Sequence, residues 1–204
     1  MDYQKLAELI GILLGDGSLS LRENNPKTNN RLSITFNSRD DFDYIGYVKE
    51  LIKDVLDTEA ILKFRKNENT ADLLIFKKDI IKFFTDKIGL KLAPKWNRAV
   101  IPERFLSDGL DIFVLRGYFD TDGCLVKTNN NGTIYPRLEM KISPSPMQKQ
   151  FIDILKKYRF NFGIYKIGKG KIRVQMNGKK ELEKWIEKVG FSNLKHREKI
   201  KMFF

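Results

Sequence analysis

The chain has 204 residues, with 38 Lys and Arg against 26 Asp and Glu and a formal charge of +12 at neutral pH. A hydrophobic fraction of 42% suffices for one large core or two of about 100 residues each, which excludes a disordered polymer. Cys124 is the only cysteine, so an internal disulfide framework and a cysteine-rich zinc module are excluded and a reducing, cytoplasmic setting is expected.

Met1 to Leu14 carries Asp2, Lys5 and Glu8 inside an apolar pattern. No uninterrupted apolar run nears the roughly 20 residues that span a bilayer, so a soluble, unexported chain without a membrane partner is expected. The spacing predicts a helix over about 3–15 in which Ala7, Gly11 and Gly15 recur at every fourth position. That ridge has no bulk and would let another backbone come close. A hairpin follows, with a polar loop at Glu23–Asn30. Its second strand, Arg31–Asn37, alternates Leu32, Ile34 and Phe36 with Arg31, Ser33, Thr35 and Asn37, as a half-buried strand does. A helix, a second hairpin presenting Lys63 and Arg65, and an amphipathic helix ending at Lys87-Ile88-Gly89-Leu90 complete this stretch.

The same order then returns. Asp16-Gly17 and Asp122-Gly123 lie 106 residues apart, as do Arg31-Leu32 and Arg137-Leu138, and Lys188-Val189-Gly190-Phe191 answers to Lys87-Ile88-Gly89-Leu90 at an offset of 101. The sequence therefore reads as a duplicated α+β chain of two αββαββα halves, residues 1–96 and 108–204, joined by a linker at 97–107. The second copy starts with a helix over about 108–121, where Gly117 and Thr121 match Gly11 and Gly15 as a helix interface. Glycine inside a helix costs about 1 kcal/mol relative to alanine, so its repetition in register argues that close helix packing needs it. Loop Asn129–Pro136 matches loop Glu23–Asn30.

Asp16 and Asp122 fall at helix C-termini, where unpaired carbonyls already concentrate negative charge. Something positive is needed there. If the helices cross side by side, two carboxylates and free carbonyls form a hard oxygen set suited to Mg²⁺, as phosphodiester hydrolysis uses. The positive charge of the chain points to a polyanion as partner.

These residues also carry a resemblance. Leu9-Ile10-Gly11-Ile12-Leu13-Leu14-Gly15-Asp16-Gly17 and Leu115-Arg116-Gly117-Tyr118-Phe119-Asp120-Thr121-Asp122-Gly123 resemble the two signature motifs of the LAGLIDADG homing endonucleases. Two motifs in one chain resemble the monomeric members, whose halves pack their motif helices together beneath antiparallel, saddle-shaped sheets that hold double-stranded DNA. The resemblance implies that Asp16 and Asp122 bind the metal, with the carbonyls of Gly15 and Thr121 completing part of its shell. It also implies a basic residue near the metal in each half: Lys95 in the first, and Lys195, His196 or Lys199 in the second. Asn37 and Ser143 resemble positions that organise water. Asp120 occupies an acidic slot of the motif but points away from Asp122 in helical phase, and is expected to be structural.

The outward residues Arg31, Ser33, Thr35, Asn37, Lys63 and Arg65, with Arg137, Glu139, Lys141, Lys171, Arg173 and Gln175, are the expected DNA-contacting set, because strand ribbons fit a major groove. The expectation is a Mg²⁺-dependent, site-specific double-strand DNA endonuclease of the intron-homing kind, with Mn²⁺ substituting, cutting across a minor groove to leave staggered ends. The competing readings are a non-cleaving relative, either an intron RNA maturase or a DNA-binding regulator, and a basic protein of duplicated fold that serves protein interaction. Met1 and the lack of terminal intein splicing residues fit an intron-encoded or free-standing origin.

Overall fold

Asp2 opens the first element by accepting the backbone N–H of Gln4 and Lys5, two of the donors that a helix start leaves free. Helix α1 runs Tyr3–Leu14, and every residue from Leu6 to Leu14 is buried, as in a helix covered on all sides. The structure, a computed structural model, describes residues 2–23 and 29–204, so most of the expected loop Glu23–Asn30 lies outside the described residues.

After α1 come β1 (Gly17–Ser20), β2 (Arg31–Asn37), α2 (Phe42–Leu56), β3 (Ile61–Phe64), β4 (Thr70–Ile75) and α3 (Lys78–Lys82), which continues into a π-helical turn at Phe83–Ile88. A 3₁₀ turn at Glu103–Phe105 precedes α4 (Leu110–Asp122). Then follow β5 (Gly123–Asn130), β6 (Thr133–Ile142), α5 (Met147–Lys157), β7 (Gly163–Lys166), β8 (Ile172–Asn177), α6 (Lys179–Lys188) and α7 (Leu194–Ile200). The fold is α+β with two similar halves, and it departs from the expected pattern in three places. Helix α7 is an extra element of the second half. Helix α4 takes in Asp122 as its last residue, whereas Asp16 stands beyond α1. The expected loop Asn129–Pro136 is mostly strand, because Asn131 and Gly132, both at positive φ, make the turn by themselves.

Each half forms one antiparallel four-stranded sheet, in the order β1-β2-β4-β3 and β5-β6-β8-β7. The duplication extends to register: Gly17 pairs with Ile34 as Gly123 pairs with Met140, and Thr35 faces Asp72 as Lys141 faces Arg173. Leu32, Ile34 and Phe36, and in the second sheet Leu138, Met140 and Ile142, lie in the core. The connecting stretch is pinned to the second half. Gln150 bonds both backbone groups of Ile101, Asn97 N–H donates to Pro144, and Ile101 and Phe105 are buried. Phe203 joins the core while Phe204 stays exposed.

The two halves meet along α1 and α4. A methyl group added to Gly11 would lie 2.1 Å from the carbonyl oxygen of Val114, and one added to Gly117 would lie 2.1 Å from that of Glu8. The expected bare ridges therefore face each other, and backbone touches backbone with no room for a Cβ. Gly11→Ala or Gly117→Ala is expected to lower stability by about 3 kcal/mol, the upper end of ordinary overpacking, because rigid helix backbone must give way. Urea unfolding would measure it; a loss no larger than that of Gly46→Ala, where a methyl meets nothing, would contradict this account.

Candidate active site and nucleic-acid interface

Where α1 and α4 end, the ridge positions Gly15 and Thr121 meet. A methyl on Gly15 would lie 2.2 Å from Thr121 Oγ1 and 3.1 Å from Asp122 Oδ2. The Asp122 carboxylate of the second half thus sits against the residue that precedes Asp16 in the first. Both acids reach solvent, yet the seam is crowded. Burial, followed by the charge of Asp16, pushes Asp122 up to about 7. Burial also raises Asp16, with Lys95 opposing and Asp41 adding to the rise.

Lys95 is inserted into the same place. Its Nζ donates to the carbonyls of Leu13, Leu14 and Gly15 at 2.9, 2.8 and 2.7 Å, satisfying the end of α1. Burial draws this ammonium down to about 8, against the pull of Asp122 and Asp16. All three N–H groups are taken by carbonyls, which keeps the amine charged at neutral pH without giving either carboxylate a direct hydrogen bond. The Gly15 carbonyl, expected as a free ligand, already accepts one of these bonds.

The residue matching Lys95 by the repeat, His196, is fully buried among Phe119 and Phe191, and neither ring nitrogen has a hydrogen-bond partner among the described residues. Burial lowers it to about 3. A neutral imidazole in an aromatic nest cannot be the second basic group, and that alternative is corrected. Lys199 acts electrostatically on Cys124 and His196. Lys195 remains: it is the cation of the second half that acts on Asp16, and its Nζ is held at 2.6 Å by Asp41 of the first half. Lys171 acts on Asp122, and its Nζ lies 5.3 Å from the Trp96 ring centre.

Asp41 was not legible as part of this arrangement. It also accepts from Asn193 Nδ2, and the Ser192 and Asn193 N–H groups donate to Asp120 Oδ2 at 2.7 and 3.1 Å. Asp120 is therefore a buried tether for the start of α7, with its pKa pushed to about 8 by burial. A second cross-seam link is Arg116, which bonds the Val189 carbonyl and lies 3.5 Å from Glu8, an acid that also accepts from Tyr47 of its own half at 2.8 Å.

The expected DNA-contacting residues divide by sheet. Arg31, Ser33, Lys63 and Arg65, with Asp72 and Leu74, line an open depression of about 310 Å³ on the first sheet. Thr35 donates to Asp72, and Asn37 is turned into its own loop, accepting from the backbone of Arg39 and Asp40. Asn37 is thus engaged as a turn cap. On the second sheet Arg137 and Gln175 converge on Glu139, and Lys141 faces Arg173 across the strands. The missed residue here is Asp72. Its signal was a lone carboxylate at an outward position of an otherwise apolar strand.

Two carboxylates at the junction of two halves, flanked by a lysine that binds neither directly, make no direct ion pair among the described residues. Among the described residues no group of three or more His, Cys, Asp and Glu could hold an ion. The protein thus offers two hard oxygen donors, a set that fits Mg²⁺, Mn²⁺ or Ca²⁺ with waters and phosphate oxygens filling the shell.

The profile of the LAGLIDADG DNA endonuclease family matches residues 7–183. The chain belongs to that family. Solved structures of like fold include I-DmoI in complex with DNA and Mn, at 16% identity over 93% of this chain and 98% of that one, with a TM-score of 0.64. Another is I-WcaI bound to its DNA recognition sequence, at 18% identity over 100% of this chain and 87% of that one, with a TM-score of 0.66. The meganuclease I-SmaMI bound to uncleavable DNA matches at 11% identity over 94% and 86% of the two chains, with a TM-score of 0.61. No curated protein sequence matches. At such identities the likeness is one of fold, and the LAGLIDADG assignment rests on the family profile. Among the described residues no helix is long and apolar enough to cross a membrane.

The acids of this LAGLIDADG seam also set a pH dependence. Asp122 holds its proton up to about 7 when folded and only to 3.8 in the reference state. It therefore contributes stability to the metal-free protein that is complete below about pH 4 and lost as pH rises through 7. The metal-free melting temperature is expected to fall across that window, while the increase produced by Ca²⁺ grows. A Ca²⁺ effect of constant size from acid to neutral pH would contradict the assignment.

Proposed function

We propose that this chain is a monomeric endonuclease that cuts both strands of a double-stranded DNA site by metal-dependent hydrolysis, leaving staggered ends. Mg²⁺ is the working ion and Mn²⁺ a substitute. The observation that carries the reading is the placing of the Asp122 carboxylate against Gly15, the residue before Asp16, at the seam of two halves beside a buried lysine. The family and the DNA-bound neighbours, solved with Mn and with Ca, support it.

In this reading Asp16 and Asp122 hold the ion, with the Thr121 carbonyl and the lone pair of the Gly15 carbonyl that Lys95 leaves unused as further oxygens. A bound divalent cation supplies Lewis acidity at a phosphate oxygen and makes a water a better nucleophile near neutral pH. The remaining work belongs to the chain. Lys95, fixed by three carbonyls, offers a stationary positive charge beside the scissile phosphate and needs no reorganisation as charge develops. Lys195, held by Asp41, is the second basic residue and serves the acid of the opposite half. The two sheets position the duplex through Arg31, Ser33, Thr35, Lys63 and Arg65 on one side and Arg137, Lys141, Lys171, Arg173 and Gln175 on the other. The maturase and regulator alternatives leave the paired acids and the embedded lysine without a use.

Cleavage of a plasmid library carrying randomised sites tests this. Asp16→Asn or Asp122→Asn is expected to reduce Mg²⁺-dependent cutting by about a thousandfold or more while Ca²⁺-supported DNA binding persists. Lys95→Met is expected to slow cutting by about a hundredfold, the size of losing one preorganised electrostatic contribution. Wild-type protein that binds a site tightly yet cuts nothing in Mg²⁺ or Mn²⁺ would favour the regulator.

A further inference from the structure

At one place the duplicated sheets keep the same geometry and reverse its charge. In the first sheet Thr35 of β2 faces Asp72 of β4; in the second, the matching pair is Lys141 and Arg173. Asp72 is largely covered and fully engaged. It accepts Arg65 Nε at 2.8 Å, Arg65 Nη2 at 2.9 Å and Thr35 Oγ1 at 2.7 Å. The Arg65 hydrogen bonds hold its carboxyl below the usual range, so it is charged. Arg65 itself is half-exposed on the rim of the depression shared with Arg31 and Lys63.

A guanidinium has five N–H groups in a rigid fork. Asp72 occupies the edge formed by Nε and Nη2. On the opposite edge, Nη1 with the second hydrogen of Nη2, Nη1 is met among the described residues only by an exposed ion pair of the weak surface kind, which a DNA base can displace. The acid next to it among the described residues is Glu68, whose exposed carboxylate lies 3.6 Å from Nη1, beyond hydrogen-bond range. This edge has the two-donor spacing that fits O6 and N7 of guanine in a major groove.

Electrostatics separates a base reader from a phosphate clamp. A carboxylate beside an arginine cancels its net charge and repels a phosphate, so a residue meant to hold the DNA backbone gains nothing from it. A neutral base edge is indifferent to that net charge and benefits from a donor fork that is already fixed, because the side-chain entropy has been lost before binding. The second sheet shows the contrast: Lys141 and Arg173 stand opposite each other with no carboxylate between them, an arrangement for an anion.

We propose that Arg65, fixed by Asp72, reads a guanine in the half of the target that lies on the first sheet, with Asp72 as its positioning residue. At the matching position the second sheet has Lys141 and Arg173 in place of Thr35 and Asp72, and holds its half-site there through phosphate. This deepens the nuclease reading and rests on it.

Selection of cleaved sites from a randomised DNA library tests it with Arg65→Lys, Asp72→Asn and Arg65→Met, each checked for an unchanged melting transition. The wild type is expected to require guanine at one position of one half-site, by about tenfold or more, the usual worth of a paired arginine–guanine contact. Arg65→Lys and Asp72→Asn should weaken that preference to a few-fold and leave the other half-site profile unchanged. Arg65→Met should abolish it. If every library member is bound and none is cut by the wild type, the nuclease reading fails and this inference with it. If sites are cut but no position loses guanine preference in the Arg65 variants, the inference alone is overturned. It is likewise overturned if Arg65→Met weakens all sites equally with a shallower salt dependence, the mark of a lost phosphate contact.

Discussion

The structure depends on the approach of α1 to α4 at backbone distance. Gly11 meets the Val114 carbonyl and Gly117 meets the Glu8 carbonyl in reciprocal fashion, which is what a local twofold relation between the helices requires. One turn further on, the same relation brings Gly15 against Thr121 and Asp122. The convergence of the two acids is thus a consequence of the packing distance. Helices held apart by even one methyl group on each face would still bury their Leu and Ile side chains, but their ends would no longer share a site. The links from Arg116 to Glu8 and from Asp41 to Asn193 and Lys195 bind the halves at the flanks of this contact.

The charge at the seam follows from the same geometry. Two helix C-termini, each with roughly half a negative charge from unpaired carbonyls, end beside two carboxylates. Lys95 offsets part of this, but its three hydrogen bonds go to the carbonyls of α1. The helix end is satisfied and the acids are not; burial raises both pKa values, and the lysine close by offsets the rise only in part. A lysine that reached the carboxylates directly would have made an ion pair and closed the site. As built, the surplus negative charge is left without a direct ion pair among the described residues.

What the sequence made legible was local or periodic. The four-residue spacing of Ala7, Gly11 and Gly15, the alternation along Arg31–Asn37, and the repeat offset of the Asp-Gly pairs each follow from helix or strand periodicity. The rest depended on distant contacts or on which way a side chain turns. Asp41 and Lys195 are 154 residues apart, and neither position is unusual in its own segment. The offset that matched His196 to Lys95 aligned their places along the chain but not their orientation, since α7 turns His196 toward Phe119 and Phe191. Asn37 alternates outward as expected, yet a short amide side chain next to a turn bonds the nearest backbone donors first.

The differences between the halves have a common physical origin. Positions that pack against the seam or the core are constrained in both copies by volume and register, so Gly11 and Gly117, or Leu32 and Leu138, remain alike. Positions facing outward have only electrostatic and hydrogen-bonding demands, and a half-site of DNA makes those demands separately on each sheet. Asp72 has become Arg173 in the second copy without disturbing the ladder, because its place in the ladder requires only a backbone N–H and C=O. Residues 108–204 carry 20 Lys and Arg against 10 Asp and Glu, whereas residues 1–107 carry 18 against 16. A duplicated fold with a shared seam can therefore meet an asymmetric duplex: the backbone sets where the two strands are held for cutting, and the outward side chains are free to differ over what each half recognises.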